Sequence, residues 1–179
     1  MAEGRSAMSL ELICGNALDA EADALIVTID GAARCLYGTI AQAFQRRWPR
    51  NFDGLVRRIE YPLSIGRAQA VKIDGDCPFR LVIAASTLHH VGVLSVTEKL
   101  RVVQQALLAS LQLAHRHRAA TLATGLLGGG WRLPARDALQ AMKLGYERFD
   151  RRDQIRLLLC VRDEGTFGDL ARPVPPHSG

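Results

Sequence analysis

The chain has 179 residues, enough for an ordinary domain to bury a full core without disulfide or metal staples. Its 48% hydrophobic and 23% charged content is globular and excludes a disordered chain. The net charge of +5 is carried mainly by arginine; it suits an anionic ligand such as a pyrophosphate, suits nucleic acid more weakly, and is equally served by solubility alone.

Leu10 to Cys14 is a short apolar run closed by the turn signal Gly15-Asn16. Ala24 to Thr28 is β-branched and apolar and reads as a buried strand. Gly31 to Cys35 follows as a loop. Gly38 to Trp48 then has helical spacing, with Ile40, Ala43, Phe44 and Trp48 on one side, and Pro49 ends it. Asn51 to Leu63 is weakly patterned, with a short helix around Gly54 to Ile59. Arg67 to Ile73 alternates as a half-covered strand does, and Asp74-Gly75-Asp76 turns into a second strand, Arg80 to Ala85.

Ser95 and Glu98 make a capping box. Leu100, Val103, Leu107, Leu111 and Ala114 recur at threes and fours behind it, and His115 to Arg118 place positive charge at the helix end. Thr121 to Thr124 is a short strand running into Gly125-Leu126-Leu127-Gly128-Gly129-Gly130. Pro134 occupies a first helical position. Ala135, Leu139, Met142, Tyr146 and Phe149 give another amphipathic helix, and Ile155 to Val161 a last buried strand. The expected domain spans residues 1–172, and 173–179 read as a disordered, proline-rich tail. Strands alternating with helices imply a mostly parallel sheet with helices on both faces.

The four cysteines, Cys14, Cys35, Cys77 and Cys160, form no C-x-x-C pair, so no zinc knuckle or redox motif is expected. Cys14 and Cys160 read as buried thiols, and the usage fits a reducing cytoplasm. Met1 to Ser9 lacks a signal-peptide core, and no run of ~18 apolar residues exists, so no membrane partner is expected. His89-His90 point to opposite sides of an extended segment and lack companion ligands, so no metal or other cofactor is expected.

Ligands of open α/β sheets bind beyond the carboxyl ends of strands. Gly15-Asn16, Thr28 to Tyr37, Ser86 to Leu94 and Gly125 to Trp131 all leave a strand in that way. The last is the strongest signal. Glycines let a backbone approach a ligand and turn its N–H groups inward, and the helix behind favours an anion. No Lys-Ser or Lys-Thr follows, so this is not a nucleotide hydrolase P-loop. Trp131 stacks on a base or packs against the following helix.

In order and spacing these segments resemble the macro domains. Gly15-Asn16-Ala17-Leu18 followed by Asp23 to Val27 is similar to the opening G-D-I-T…D-A-I-V-N-A-A-N. Ser64 to Ala68 resembles the G-x-A strand entry, and Leu81 to Ala85 the segment V-I-H-A-A. Thr121 to Gly129 is similar to the second ligand loop, A-x-P-x-x-G-T-G-x-G-G-x-P. The resemblance runs from about Leu10 to Val161. It implies a three-layer α/β/α sandwich around a mixed, mostly parallel sheet of about six strands, with an ADP-ribose cleft.

The resemblance also implies residue roles. Asn16, flanked by Gly15 and Ala17, stands where the family's Asp accepts from adenine, and its amide oxygen keeps that capacity. Thr124, Gly125, Leu126, Leu127, Gly128 and Gly129 would wrap the diphosphate and the distal ribose. The first loop departs from the family: Thr28-Ile29-Asp30-Gly31 replaces N-A-A-N, Ala33-Arg34-Cys35-Leu36 replaces G-G-G-V, and Tyr37 stands where hydrolytic members carry Asp. Arg34 either pairs with a phosphate or is solvated. Asp30 is the only candidate base, or a turn-former.

Three functions are open. The first is binding of ADP-ribose or an ADP-ribosylated protein without turnover. The second is hydrolysis of an ADP-ribosyl or O-acetyl-ADP-ribose bond. The third is a structural or RNA-binding role for the arginine pairs at Arg46-Arg47, Arg57-Arg58 and Arg151-Arg152.

Overall fold

The computed structural model describes residues 10–32, 37–88 and 93–173. Six strands form one sheet: β1 (Leu10–Cys14), β2 (Ala24–Asp30), β3 (Ala68–Lys72), β4 (Leu81–Leu88), β5 (Thr121–Thr124) and β6 (Arg156–Val161). Their order is β1-β6-β5-β2-β4-β3. All neighbours are parallel except the edge pair β3 and β4. The sheet is therefore mixed and mostly parallel, as expected.

Five helices cover it: α1 (Thr39–Arg47), α2 (Pro49–Arg58), α3 (Val96–Arg116), α4 (Ala135–Glu147) and α5 (Glu164–Ala171). Each strand alternates side chains between two faces, and the apolar residues on both faces build two cores. On one, Ile26, Ile83, Leu122 and Leu159 pack with Val103 and Leu107 of α3, Met142 of α4 and Leu170 of α5. On the other, Leu25, Val27, Val82 and Leu158 pack with Phe44 of α1 and Phe52 and Leu55 of α2. The result is the three-layer α/β/α sandwich.

Several boundaries differ from the sequence reading. Pro49 ends α1 as expected but also opens α2, which extends to Arg58. Proline suits a first helical position, so one residue serves both helices. Pro134 is the N-cap of α4 rather than its first residue. Helix α5 was not anticipated; Asp163 caps it by accepting from the Thr166 N–H, but Gly165 and Gly168 blur its pattern. Cys14 is exposed, because it ends the edge strand β1, whereas Cys160 is buried and its thiol is pushed up to about 11. The histidine pair and residues 174–179 of the expected tail lie outside the described residues. Among those described, no helix is long and apolar enough to cross a membrane.

The amino end of the sheet is clamped by Asp23. Its Oδ2 accepts from the N–H groups of Ala120 and Thr121 at 2.7 and 3.0 Å and from the Thr121 hydroxyl at 3.2 Å. Arg80 lies 3.4 Å away. The clamp joins the chain entering β2, β4 and β5. Burial pushes the Asp23 carboxyl upward, but these donors and Arg80 outweigh it and hold the carboxyl below its usual range. A depressed carboxylate stabilises the fold above the unfolded-state pKa of about 3.9 and stops doing so as pH falls through the lower folded value. Asp23→Ala should cost about 1–3 kcal/mol at pH 7, since it orphans two backbone donors. Urea unfolding of wild type and variant checks this, and their difference should shrink below about pH 4.

Candidate functional site

Strand β5 is shorter than β2. The two pair only at Ala24–Leu122 and Leu25–Ala123. Beyond Leu25, β2 has no β5 partner; the chain returning at Tyr37 and Gly38 bonds that edge at Ile29 and Thr28, and Ile26 and Thr28 border an open space. The chain leaves β2 toward the α1–α2 layer and leaves β5 toward α4 on the opposite face. This is a topological switch point, where open α/β sheets form their ligand crevice. A cleft of about 210 Å³ lies there, lined by Ile26, Thr28, Tyr37–Gln42 without Ala41, Thr87, Leu88 and the whole stretch 125–130.

One wall is the entry to α1. After the loop, Tyr37 returns to bridge Ile29, and the Gly38 N–H donates to the Thr28 carbonyl at 2.8 Å. A Cβ on Gly38 would sit 1.7 Å from Thr28 Oγ1, so only glycine allows this approach. Gln42 Nε2 donates to the Tyr37 carbonyl at 2.8 Å, and the Tyr37 ring meets Phe52 edge-on at 5.0 Å. The first intrahelical bond of α1 runs from the Gln42 N–H to Gly38, which leaves the N–H groups of Thr39, Ile40 and Ala41 without an intrahelical acceptor.

The facing wall is the glycine stretch. Gly128 has φ of +90°, and the backbone then tightens into a 3₁₀ turn over Gly129–Trp131. Trp131, Arg132 and Leu133 donate back to Gly128 and Gly129, and the Leu127 N–H points at Met142 Sδ at 3.4 Å. The N–H groups of Leu126, Gly128, Gly129 and Gly130 donate to no group among the described residues. Two sets of unpaired amides, one carrying the positive end of a helix dipole, thus border a single cleft. Such an arrangement suits an anion.

Of the residues expected at the site, Thr28, Tyr37, Gly125, Leu126, Leu127, Gly128 and Gly129 line this cleft. Thr124 lies behind it, fully buried, its hydroxyl donating to the Gly125 carbonyl at 3.0 Å. Gly15 and Asn16 line a second groove of about 360 Å³ with Ile13, Cys14 and Arg156, while Ala17 packs in the core. Asn16 Oδ1 accepts from the Leu18 N–H at 3.1 Å. Asp30 is 0% exposed, and its Oδ1 accepts from the Ala32 N–H at 2.8 Å, the turn-forming arrangement. Arg34, Cys35 and Leu36 lie outside the described residues. Trp131 is not among the lining residues. Among the described residues no cluster of His, Cys, Asp and Glu fits a metal ion.

Sequence reasoning did not count Gly38, Thr39, Ile40, Gln42, Thr87 or Leu88 among the ligand-binding residues. The glycine before a helical stripe was the available signal for the first four. Thr87 and Leu88 fall in a segment already recognised as leaving a strand, but nothing local singles them out.

No family model matches the sequence, and no curated protein matches it. Solved structures do. A macrodomain of Oceanobacillus iheyensis solved with ADP superposes with a TM-score of 0.74 at 12% identity, covering 95% of this chain and 92% of that one. The macrodomain of Thermus aquaticus DarG gives 0.68 at 22% identity, covering 86% and 98%. A Trypanosoma brucei macrodomain in complex with ADP-ribose gives 0.63 at 18% identity, covering 90% and 67%. The chain has the macrodomain fold.

The glycines of the loop differ in what they tolerate. Gly128 combines positive φ with Leu133 Cδ1 at 2.7 Å from an added Cβ, whereas nothing lies within 4 Å of one on Gly129. Gly128→Ala should cost about 1–3 kcal/mol and Gly129→Ala less than about 0.5 kcal/mol. Urea midpoints of the two variants measure this.

Proposed function

We propose that this chain binds ADP-ribose, free or attached to a protein, with its diphosphate in the cleft between α1 and the glycine stretch, and without turnover. One observation carries the reading: the N–H groups of Leu126, Gly128, Gly129 and Gly130 and the first turn of α1 border the same cleft. Phosphate oxygens accept from such groups without needing a lysine or a metal. Relatives in fold have been solved with ADP and with ADP-ribose, which supports the nucleotide reading.

The strand order supports a pose. Three strand spacings, about 14 Å, separate the end of β1 from that of β2. A ligand with its diphosphate at the β5–β2 gap reaches across β6 with its base toward Gly15 and Asn16. Asn16 Oδ1 already accepts one bond, and its second lone pair and its NH₂ group remain for a base edge.

Binding without turnover rests on the chemistry of the lining. Among the described residues it offers amides, hydroxyls, one phenol and the Gln42 amide, groups that hold an anion. The candidate base Asp30 is buried and engaged with its own turn. Hydrolysis needs a group that orients or activates water, and Asp30 is not among the residues lining this cleft.

Thr39→Pro tests the reading. The residue is exposed, opens α1 and follows Gly38 with ψ of 171°, a setting proline accepts. The substitution deletes one cleft amide and should leave the melting temperature within about 2 °C. In titration calorimetry the wild type should bind ADP-ribose, and the variant about ten-fold or more weakly, as loss of a bond to a charged group implies. No heat from folded wild type at millimolar ligand would remove the proposal.

A further inference from the structure

Strand β4 carries an irregularity at the cleft. Ile29 pairs with Ser86 and Asp30 with Leu88, which leaves Thr87 as an extra residue between two register positions. Bulges of this kind re-aim a side chain and recur beside binding sites. Thr87 lines the cleft, is 1% exposed, and its Oγ1 has no hydrogen-bond partner among the described residues. A buried hydroxyl left unpaired costs roughly 1–3 kcal/mol, so its retention calls for a reason.

The order of the strands supplies one. If the base lies toward β1 and the diphosphate at the β5–β2 gap, the ligand continues across β2 to β4. There the glycine stretch closes on the end of β4, since an added Cβ on Gly130 would meet Leu88 Cδ2 at 2.4 Å. Thr87 stands at that end of the cleft. Resting on the ADP-ribose reading above, we propose that Thr87 reads the terminal ribose of the ligand, its Oγ1 exchanging a hydrogen bond with a sugar hydroxyl. A hydroxyl both donates and accepts, which matches a sugar hydroxyl better than a phosphate, which only accepts. The bond requires a rotation of the Thr87 side chain or a small shift of the glycine stretch, and the unpaired oxygen favours either. Thr87 is then a specificity residue that separates ADP-ribose from ADP, which lacks the terminal sugar.

Calorimetry with ADP-ribose and with ADP, on wild type, Thr87→Val and Thr87→Ser, tests this. Wild type should prefer ADP-ribose. Thr87→Val, nearly isosteric but without the hydroxyl, should bind ADP-ribose about ten-fold more weakly and ADP within about two-fold of wild type. Thr87→Ser should recover most of the lost affinity. The unliganded Thr87→Val protein should melt at or above the wild-type temperature, because it loses an unsatisfied polar group. An unchanged ADP-ribose affinity, an equal loss for both ligands, or no wild-type preference for ADP-ribose would overturn the assignment and leave the binding function standing. A clearly lower melting temperature of the unliganded Thr87→Val protein would show the hydroxyl partnered in the free protein and overturn it too. Wild type that binds neither nucleotide would overturn both proposals.

Discussion

Strand β2 outruns β5, pairing with it at two residue pairs, and the cleft depends on that mismatch. Past Leu25, β5 no longer pairs with β2, and the returning Tyr37–Gly38 segment bonds that edge further along, at Ile29 and Thr28. The two chains then depart to opposite faces of the sheet, so neither following helix fills the gap. What surrounds the space is backbone that secondary structure cannot satisfy: the first turn of α1 and the glycine stretch after β5. Buried or half-buried amides without acceptors are costly in a folded protein unless water or a ligand meets them. An anion would satisfy both sets at once.

The arrangement holds because its supports lie elsewhere. At the amino end of the strands, Asp23 ties the entries to β2 and β5 together through backbone amides. At the edge, Arg156 grips Glu11 with two bonds of 2.6 and 2.7 Å, joining β1 to β6. At the carboxyl end, Gly38 lets α1 start in contact with Thr28, and the fully buried Leu127 anchors the glycine stretch in the core. Leu127 faces inward while the amides on either side of it stay unpaired.

Much of this was legible in the residues. Apolar runs with β-branched members marked the strands, and the Ser95–Glu98 capping box fixed the start of α3, where Ser95 and Glu98 do exchange bonds. The glycine stretch stood out through composition alone, and it borders the cleft. What escaped did so for physical reasons. Helix α5 contains two glycines and has little stripe, so its existence depends on Leu170 reaching the core. Thr39, Gln42 and Thr87 are ordinary residues whose role comes from where the sheet order carries them. The irregularity that singles out Thr87 is a property of pairing between β2 and β4, distant in sequence, and no local pattern encodes it. Asp30 reads from the sequence as a candidate base or a turn-former, and in the structure it ends β2 and accepts from the Ala32 N–H of the following turn, as the second of these does.

Amide chemical shifts recorded during a titration of labelled protein with ADP-ribose test the central claim most directly. The account predicts that the largest changes fall on Thr39, Ile40, Leu126, Gly128, Gly129 and Gly130, with inorganic pyrophosphate moving the same group. Saturating shifts confined to another surface, such as the groove between α3 and α4 lined by Leu100, Gln104 and Leu144, would contradict it.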